Sequence, residues 1–193
     1  MQRVNYSTYS PADLARAKQF LTEDLLRNAT RSVNRNPVAM LIGGQPASGK
    51  TRLIETVKAL VADDAVVING DNYRNLHPCY DEIQQEYGPD APHHTQPFSN
   101  ALVEFMKAEC LQQKLNFIIE GTMRTHRVIK NTAVEARKHG FRVEAHVLAI
   151  AEEDSYLGIF QRYEGEMSLY GVGRFSPLET HDEAYRQIPV NLQ

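Results

Sequence analysis

The sequence predicts an α/β fold, specifically a P-loop NTPase-like three-layer arrangement with a mainly parallel sheet and helices on both faces. Two observations carry this prediction. Short apolar runs, typical of buried strands, alternate along the chain with longer segments of helical periodicity. The first run leads directly into a Gly-rich segment, 43–51, that has the pattern of a phosphate-binding loop. We expect residues 1–193 to form a single domain of this kind.

The chain opens with a predicted helix over about residues 10–28, because Ser10 and Pro11 provide a start signal before an apolar stripe. Strands are predicted at 38–42, 65–69, 117–119 and 142–150. Helices are predicted from 51 to near 63–64, from 97 to about 111, at 126–139, at 152–170 and from about 176. The stretch 70–96 shows no sustained period, and we expect an irregular binding region there.

Composition and charge narrow the class of protein. With 42% hydrophobic and 23% charged residues, the chain has the composition of an ordinary globular protein. The formal net charge of −3 gives no electrostatic reason to expect nucleic acid or an anionic membrane as the main partner. The N-terminus lacks the apolar core of a signal peptide. Cys79 and Cys110 form neither a C-x-x-C motif nor a metal-binding spacing, which favours two reduced thiols. We therefore expect a cytoplasmic protein.

The Gly-rich loop carries the most specific local signal. From Gly44 the sequence fits G-x-x-x-x-G-K-[ST], in which backbone N–H groups converge on phosphate oxygens. Lys50 is expected to reach the β- and γ-phosphates, and the Thr51 hydroxyl to ligate Mg²⁺. The predicted nucleotide-binding residues are Gly44, Gln45, Pro46, Ala47, Ser48, Gly49, Lys50 and Thr51.

Two acidic residues follow predicted strands at the sheet edge where ligands of parallel sheets bind. Asp71 comes just after the second strand and Glu120 directly after the third. Asp71 is suited to orient and deprotonate an acceptor hydroxyl. A residue that ligates Mg²⁺, or one that only forms a turn, would occupy the same position in the sequence. Glu120 is also compatible with the acid that activates water in an ATPase, but the adjoining Gly-Thr-Met-Arg at 121–124 favours a crowded polar site instead.

Arginines are the natural partners of a transferring phosphoryl group. Arg174 lies between Gly173 and Phe175, on a stretch that two glycines loosen, and a mobile loop of this kind can bring positive charge onto a phosphate. Arg162 is also compatible with an intrahelical ion pair, and Arg124 with an ordinary solvated side chain.

Several linked motifs resemble those of the zeta toxin family. They are Gly-Gly-Gln-Pro at 43–46, Asp-Asn-Tyr-Arg-Asn-Leu-His-Pro at 71–78, Pro-Phe-Ser-Asn at 97–100, Glu-Gly-Thr at 120–122, Ser-Tyr-Leu-Gly at 155–158 and Arg-Tyr-Glu at 162–164. The motifs occur in order from about 38 to 192, which is most of the chain.

The resemblance implies a kinase of a toxin–antitoxin system. Such a kinase uses ATP and Mg²⁺ to phosphorylate the 3′-hydroxyl of UDP-N-acetylglucosamine, or a hydroxyl of a related UDP-sugar, and so drains a cell-wall precursor. A small helical antitoxin that blocks the nucleotide site is the implied partner.

The resemblance also implies roles for residues at matching positions. Asp71 stands where the family has its general base, and phosphate-neutralising cations are implied at Lys50, Arg162 and Arg174. The implied sugar-nucleotide residues are Glu104, Glu120, Thr122 and Arg124. Ala47 departs from the family pattern, in which glycine is frequent, and limits backbone freedom in the loop.

Two alternatives to this reading stay open from the sequence. One is another small-molecule phosphotransferase on the same scaffold, which a panel of acceptors would separate. The other is an ATPase or nucleotide-dependent switch, which would hydrolyse ATP equally well without any sugar nucleotide.

Overall fold

The computed structural model describes residues 5–28, 36–123, 125–171, 173 and 175–192. Within these ranges, four parallel strands form one sheet in the order β2-β3-β1-β4. The strands are β1 Val38–Gly43, β2 Val66–Asn69, β3 Phe117–Glu120 and β4 Arg142–Val147. All four predicted strands are confirmed, although β4 ends three residues before the predicted boundary. The central strand β1 is buried along its whole length, as its unbroken apolar sequence requires.

Eight α-helices lie within the described ranges. They are α1 Pro11–Asn28, α2 Lys50–Ala59, α3 Gly70–Tyr73, α4 Tyr80–Tyr87, α5 Ala91–Gln113, α6 His126–Lys138, α7 Glu152–Tyr170 and α8 Leu178–Asn191. The predicted helices before the first strand, after the phosphate loop and after the third and fourth strands are confirmed. No helix in the described part of the chain is long and apolar enough to cross a membrane.

The sheet is covered on both faces, because successive strand residues point to opposite sides. On one face, Met40 and Ile42 pack against Ile54 and Val57 of α2. On the other face, the strands pack against residues of α1, α5 and α6, and Leu41 of β1 packs with Ala184 and Ile188 of α8. The three-layer fold that the sequence predicts is therefore confirmed.

The prediction of an irregular stretch at 70–96 is wrong, because this stretch is mostly helical. It contains α3, a 3₁₀ turn at Arg74–Leu76, α4, and a second 3₁₀ turn at Gly88–Asp90. Each piece is too short to display a helical period in the sequence. The segment is therefore a compact helical insert between β2 and α5.

The predicted start of α5 at Pro97 is also wrong, since the helix begins at Ala91 and Pro97 lies inside it. An internal proline removes one hydrogen bond and normally breaks a helix. Here Arg74 cross-links the turns before the proline by donating to Pro92 O at 2.7 Å, to Thr95 Oγ1 at 2.9 Å and to Gln96 Oε1 at 2.7 Å. These bonds hold the chain in register across the proline.

Candidate functional site

The phosphate loop joins the buried end of β1 to the N-terminus of α2. Gly49 caps that helix with φ of 88°, and Ala47 has φ of 60°, so both residues are in the left-handed region. An alanine held in that region costs about 1 kcal/mol relative to its ordinary conformations. The loop therefore takes the tight shape that its glycines allow, with Ala47 in a conformation that suits glycine better.

The interior of the loop has little space for side chains. A Cβ atom added at Gly44 would lie 2.5 Å from Ser48 Oγ and 3.3 Å from Leu148 O. Ser48 Oγ is itself buried, and it has no hydrogen-bond partner among the described residues. Because buried hydroxyls are nearly always paired, this one is suited to a polar ligand such as a phosphate oxygen.

Lys50 is folded over the loop that it follows. Its Nζ donates to Gly44 O and to Gln45 O, each at 3.0 Å. Thr51 is exposed in the first turn of α2. The positive charge of Lys50 and the hydroxyl of Thr51 are thus both at the N-terminal end of α2, where anions are favoured.

An asparagine at the end of β2 brings the two predicted acids together. Asn69 Oδ1 accepts a hydrogen bond from the Asp71 N–H at 2.8 Å, and Asn69 Nδ2 donates to Glu120 Oε2 at 2.6 Å. In the sheet, Glu120 of β3 lies opposite Asn69 of β2 on one side and opposite Ile42 of β1 on the other. The hydrogen-bonded Asn69 and Glu120 side chains are therefore close to the end of β1, which leads into the phosphate loop. Sequence reasoning missed Asn69, although its place before a short acidic turn is typical of a helix N-cap.

Arg74 holds the candidate base from the other side. Its Nε donates to Asp71 Oδ1 at 3.0 Å, and its side chain is 11% exposed whereas that of Asp71 is 49% exposed. Ser99 Oγ of α5 donates to Gly70 O at 2.6 Å and anchors the same turn. Asp71 is therefore an accessible carboxylate on a backbone that is fixed by its neighbours.

The remaining predicted residues lie on three separate elements. Arg162 of α7 donates through its terminal nitrogen to Ser176 Oγ at 2.7 Å, and Thr122 is half-buried in the segment after β3. Glu104 of α5 pairs with Lys107 at 2.5 Å, and Lys107 also contacts Glu135 of α6 at 2.8 Å. Arg124 and Arg174 lie outside the described residues.

Lys107 is a buried charge that sequence reasoning did not identify. Burial acts to lower the pKa of Lys107, but the hydrogen bonds and charges of the two glutamates outweigh it and raise the pKa. Lys107 thereby stays charged and connects Glu104 to α6. Glu104 is exposed, so its position on this bridge leaves its carboxylate accessible from solvent.

The chain offers no ready-made metal cage among its described residues, which contain no group of three or more His, Cys, Asp or Glu suited to a metal ion. Mg²⁺ that accompanies a nucleotide characteristically takes one or two protein ligands, with phosphate oxygens and water completing its shell. Thr51 is the protein ligand that the loop pattern assigns to such an ion.

Comparisons with known proteins found a matching family model and related sequences. The zeta toxin family model matches residues 23–193. Toxin zeta of Enterococcus hirae is 34% identical over 162 residues, which cover 82% of this chain and 56% of that protein. The chain therefore spans a little over half the length of this curated relative.

Two solved structures share the fold. A chain from the PezAT chromosomal toxin–antitoxin system of Streptococcus pneumoniae matches with a TM-score of 0.86 at 30% identity, covering 96% of this chain and 72% of that chain. A chain of the AvrRxo1-ORF1:-ORF2 complex with ATP matches with a TM-score of 0.66, covering 97% of this chain and 59% of that one. At 16% identity, the second likeness concerns the fold alone.

Proposed function

The chain belongs to the zeta toxin family, and from this premise we propose that it transfers the γ-phosphoryl group of ATP to a hydroxyl of UDP-N-acetylglucosamine or a related UDP-sugar. The observation that carries the proposal is the bridge from Asn69, at the end of β2, to both Asp71 and Glu120. Glu120 ends β3, which pairs with the β1 strand that leads into the phosphate loop. A phosphate cradle and an accessible carboxylate at one sheet edge are the two parts that a small-molecule kinase requires.

The loop is suited to the phosphates of ATP for reasons visible in this chain. Ser48 Oγ is a buried hydroxyl without a partner among the described residues, and the glycine at position 44 keeps the loop interior open. When bound, ATP with Mg²⁺ supplies the γ-phosphoryl group and neutralises part of its charge. The ATP present with the AvrRxo1-ORF1:-ORF2 complex, which shares this fold, is in keeping with that nucleotide.

Positive side chains would offset the charge of the transferring group. We infer that the Lys50 ammonium exchanges its bonds to Gly44 O and Gln45 O for bonds to phosphate oxygens. Arg162 is proposed to add charge from α7, and Arg174 is proposed to add a further charge on the ground of the resemblance alone. The Thr51 hydroxyl is the proposed protein ligand of Mg²⁺.

The acceptor hydroxyl would lose its proton to Asp71. The carboxylate is half exposed, and Arg74 fixes one of its oxygens, so it is oriented and still reachable by a substrate. We propose that Glu120 and Thr122 bind the sugar nucleotide next to it, with Glu104 from α5 and Arg124 completing the set. Substrate positioning of this kind supplies much of the rate in phosphoryl transfer, because there is little covalent chemistry for the protein to perform.

The family also suggests the biological setting. We propose that the protein acts as a toxin in the cytoplasm and that a small helical antitoxin covers its nucleotide site, as the toxin–antitoxin context of the PezAT neighbour suggests. Expression of the chain alone should then slow bacterial growth, and Asp71→Asn should relieve that effect.

One assay tests the proposed reaction. The chain is incubated with ATP, Mg²⁺ and UDP-N-acetylglucosamine, and mass spectrometry follows the addition of one phosphoryl group to the sugar nucleotide. Other UDP-sugars and small-molecule acceptors form the comparison panel, and Lys50→Ala is the variant without a functional nucleotide site. ATP hydrolysis that proceeds at the same rate with and without every acceptor would instead identify an ATPase.

A further inference from the structure

A chain of buried hydrogen bonds runs from the phosphate loop to the last helix. Gln45, which is 2% exposed, donates through Nε2 to Ile150 O at 2.9 Å and approaches Ser155 Oγ at 3.5 Å. Ser155 Oγ in turn lies 2.7 Å from Nε2 of His181 on α8, and both of these residues are fully buried. A side chain of the loop is thus joined to α8 through the first turn of α7.

The contacts of His181 at the other end of these hydrogen bonds determine which of its ring nitrogens carries the hydrogen. His181 Nδ1 lies 3.1 Å from Asp182 Oδ1, and the Tyr156 hydroxyl donates to the same oxygen. A carboxylate can only accept, so Nδ1 is assigned the hydrogen, and Nε2 is left to accept from the Ser155 hydroxyl, which has Glu152 O at 2.9 Å as an alternative acceptor. The ring therefore connects two partners with its two nitrogens, one on α7 and one on α8.

Serine, histidine and aspartate in this order also form the triad of many hydrolases. That role does not fit here, because no part of Ser155 or His181 is exposed and a substrate could not reach the hydroxyl. The same three groups can still fix the relative positions of the elements that carry them, since an unmet buried polar atom is costly.

Close packing and two more hydrogen bonds tie α7 and α8 to the site. A Cβ atom at Gly158 of α7 would lie 3.1 Å from Ala47 Cβ, so the helix backbone packs directly against the loop. Asn191, at the end of α8, donates to Met123 O at 3.0 Å in the segment after β3. Arg162 bonds Ser176, shortly before α8 begins.

We propose that His181 is a positioning residue through which α8 sets the geometry of the phosphate loop and hence its affinity for nucleotide. The expected effect on nucleotide affinity rests on the proposed function. The positioning of the phosphate loop by α8 can be tested in the ligand-free protein. Holding Gln45 fixes the backbone carbonyl that Lys50 Nζ contacts, so a shift of α8 would move the loop backbone at Gln45 and the Lys50 ammonium that it holds.

Two amide substitutions separate positioning from simple loss of stability. His181→Gln places an amide near the position of Nε2 and can keep the bond to Ser155, whereas His181→Asn places one near Nδ1 and can keep only the bond to Asp182. Both variants exchange an aromatic ring for a neutral amide in the same buried place. Tyr185→Leu is the matched control, because Tyr185 stacks on His181 but takes no part in the hydrogen bonds that link the loop to α8.

Hydrogen exchange of the backbone amides of residues 44, 45 and 47–49 in the ligand-free protein is the first measurement, since proline at position 46 has no N–H. We expect His181→Asn to speed their exchange about tenfold, with His181→Gln and Tyr185→Leu close to wild type. Binding of ATP with Mg²⁺, measured by calorimetry on the folded fraction, is the second measurement. There we expect Kd to rise about five- to tenfold in His181→Asn only, which corresponds to one lost buried hydrogen bond.

The outcomes are distinguishable. Equal loop exchange in the Asn and Gln variants, or unchanged exchange in both, overturns the positioning role. Faster exchange with an unchanged Kd overturns the link from α8 to nucleotide affinity. Wild-type protein that binds no ATP contradicts the proposed function instead, while the exchange measurement still decides whether α8 positions the loop.

Discussion

Arg74 Nε donates a hydrogen bond to Asp71 Oδ1 at 3.0 Å, while the terminal nitrogens of the same guanidinium hold the first turns of α5. The proposed base is therefore oriented by a residue that also stabilises a proline-containing helix. Substitution of Arg74 should therefore lower both the catalytic rate and the stability of the fold, and the two effects can be measured separately.

Arg74→Lys should keep the charge near Asp71 but lose the planar guanidinium that reaches four partners at once. We expect kcat to fall about tenfold in Arg74→Lys and about 100-fold in Arg74→Ala, because a misplaced base costs rate even when substrates bind. The free energy of unfolding should fall by about 2 kcal/mol in Arg74→Ala, since the bonds to α5 are lost. Steady-state kinetics and urea unfolding measure the two effects. A loss of stability with unchanged kcat would show that Arg74 serves the fold alone.

Asp71→Asn tests the base directly, because the amide keeps the shape of the carboxylate but cannot accept the proton of the acceptor. We expect kcat to fall about 10²- to 10⁴-fold while ATP affinity changes little. The Asn69 bond to the Asp71 N–H is a backbone contact and should survive the change. Should affinity for ATP or Mg²⁺ collapse instead, Asp71 is a metal ligand and the base lies elsewhere.

The parts of this site that the sequence could predict are those with local signals. The strands at 38–42 and 117–119 and the phosphate loop follow from contiguous residues, and so does the position of Asp71 after a strand. The bridge from Asn69 to Glu120 joins residues that are 51 positions apart, and the bond from Ser155 to His181 spans 26. Such contacts depend on the packing of whole elements, so no short pattern could predict them.

The helical insert at 70–96 illustrates the same limit. Its pieces lack a visible period, and the turns of α5 before Pro97 depend on Arg74, which lies 18 to 22 positions earlier. Tertiary contacts of this kind override the local tendency of proline to end a helix. The sequence therefore could not predict the secondary structure of this insert.

The two cysteines should differ in reactivity. Burial raises the pKa of Cys110 to about 12, and it also raises the pKa of the partly exposed Cys79, where neighbouring acids add to the effect. Because the thiolate is the reactive form, we expect a thiol reagent at pH 8 to label Cys79 slowly and Cys110 only after unfolding. Peptide mapping of native and urea-unfolded protein checks this. Equal labelling of both cysteines in the native protein would contradict the burial of Cys110.

Stability in acid should depend on the Tyr156–Asp182 contact. The hydrogen bond from Tyr156, followed by that from His181, lowers the pKa of Asp182. A carboxyl whose pKa is lowered by folding stabilises the protein above its unfolded pKa, and this contribution is lost as the pH falls through the folded value. Tyr156→Phe should therefore unfold at a higher pH than wild type when titrated downwards from pH 6. Tyr170→Phe, at a side chain that is 73% exposed, is the control and should leave the midpoint unchanged.

Ala47 and Gly158 provide a test of how tightly α7 packs on the phosphate loop. Ala47→Gly removes an alanine from a backbone with φ of 60°, so we expect the free energy of unfolding to rise by up to about 1 kcal/mol. Gly158→Ala would normally stabilise a helix by about 1 kcal/mol, but here the new Cβ would lie 3.1 Å from Ala47 Cβ and 3.2 Å from Ala47 O. We therefore expect Gly158→Ala to destabilise the wild-type protein.

The double variant distinguishes contact from general strain. Ala47→Gly removes the Cβ that Gly158→Ala would meet but leaves the carbonyl oxygen in place, so it should restore only part of the lost stability. A coupling energy of about 0.5–1 kcal/mol between the two substitutions, from urea unfolding of all four proteins, is the expected result. Strict additivity would mean that the Ala47 Cβ contributes nothing to the cost of Gly158→Ala. Gly165→Ala is the control on the open side of the helix, where an added Cβ would have no neighbour within 4 Å, and it should not destabilise the protein.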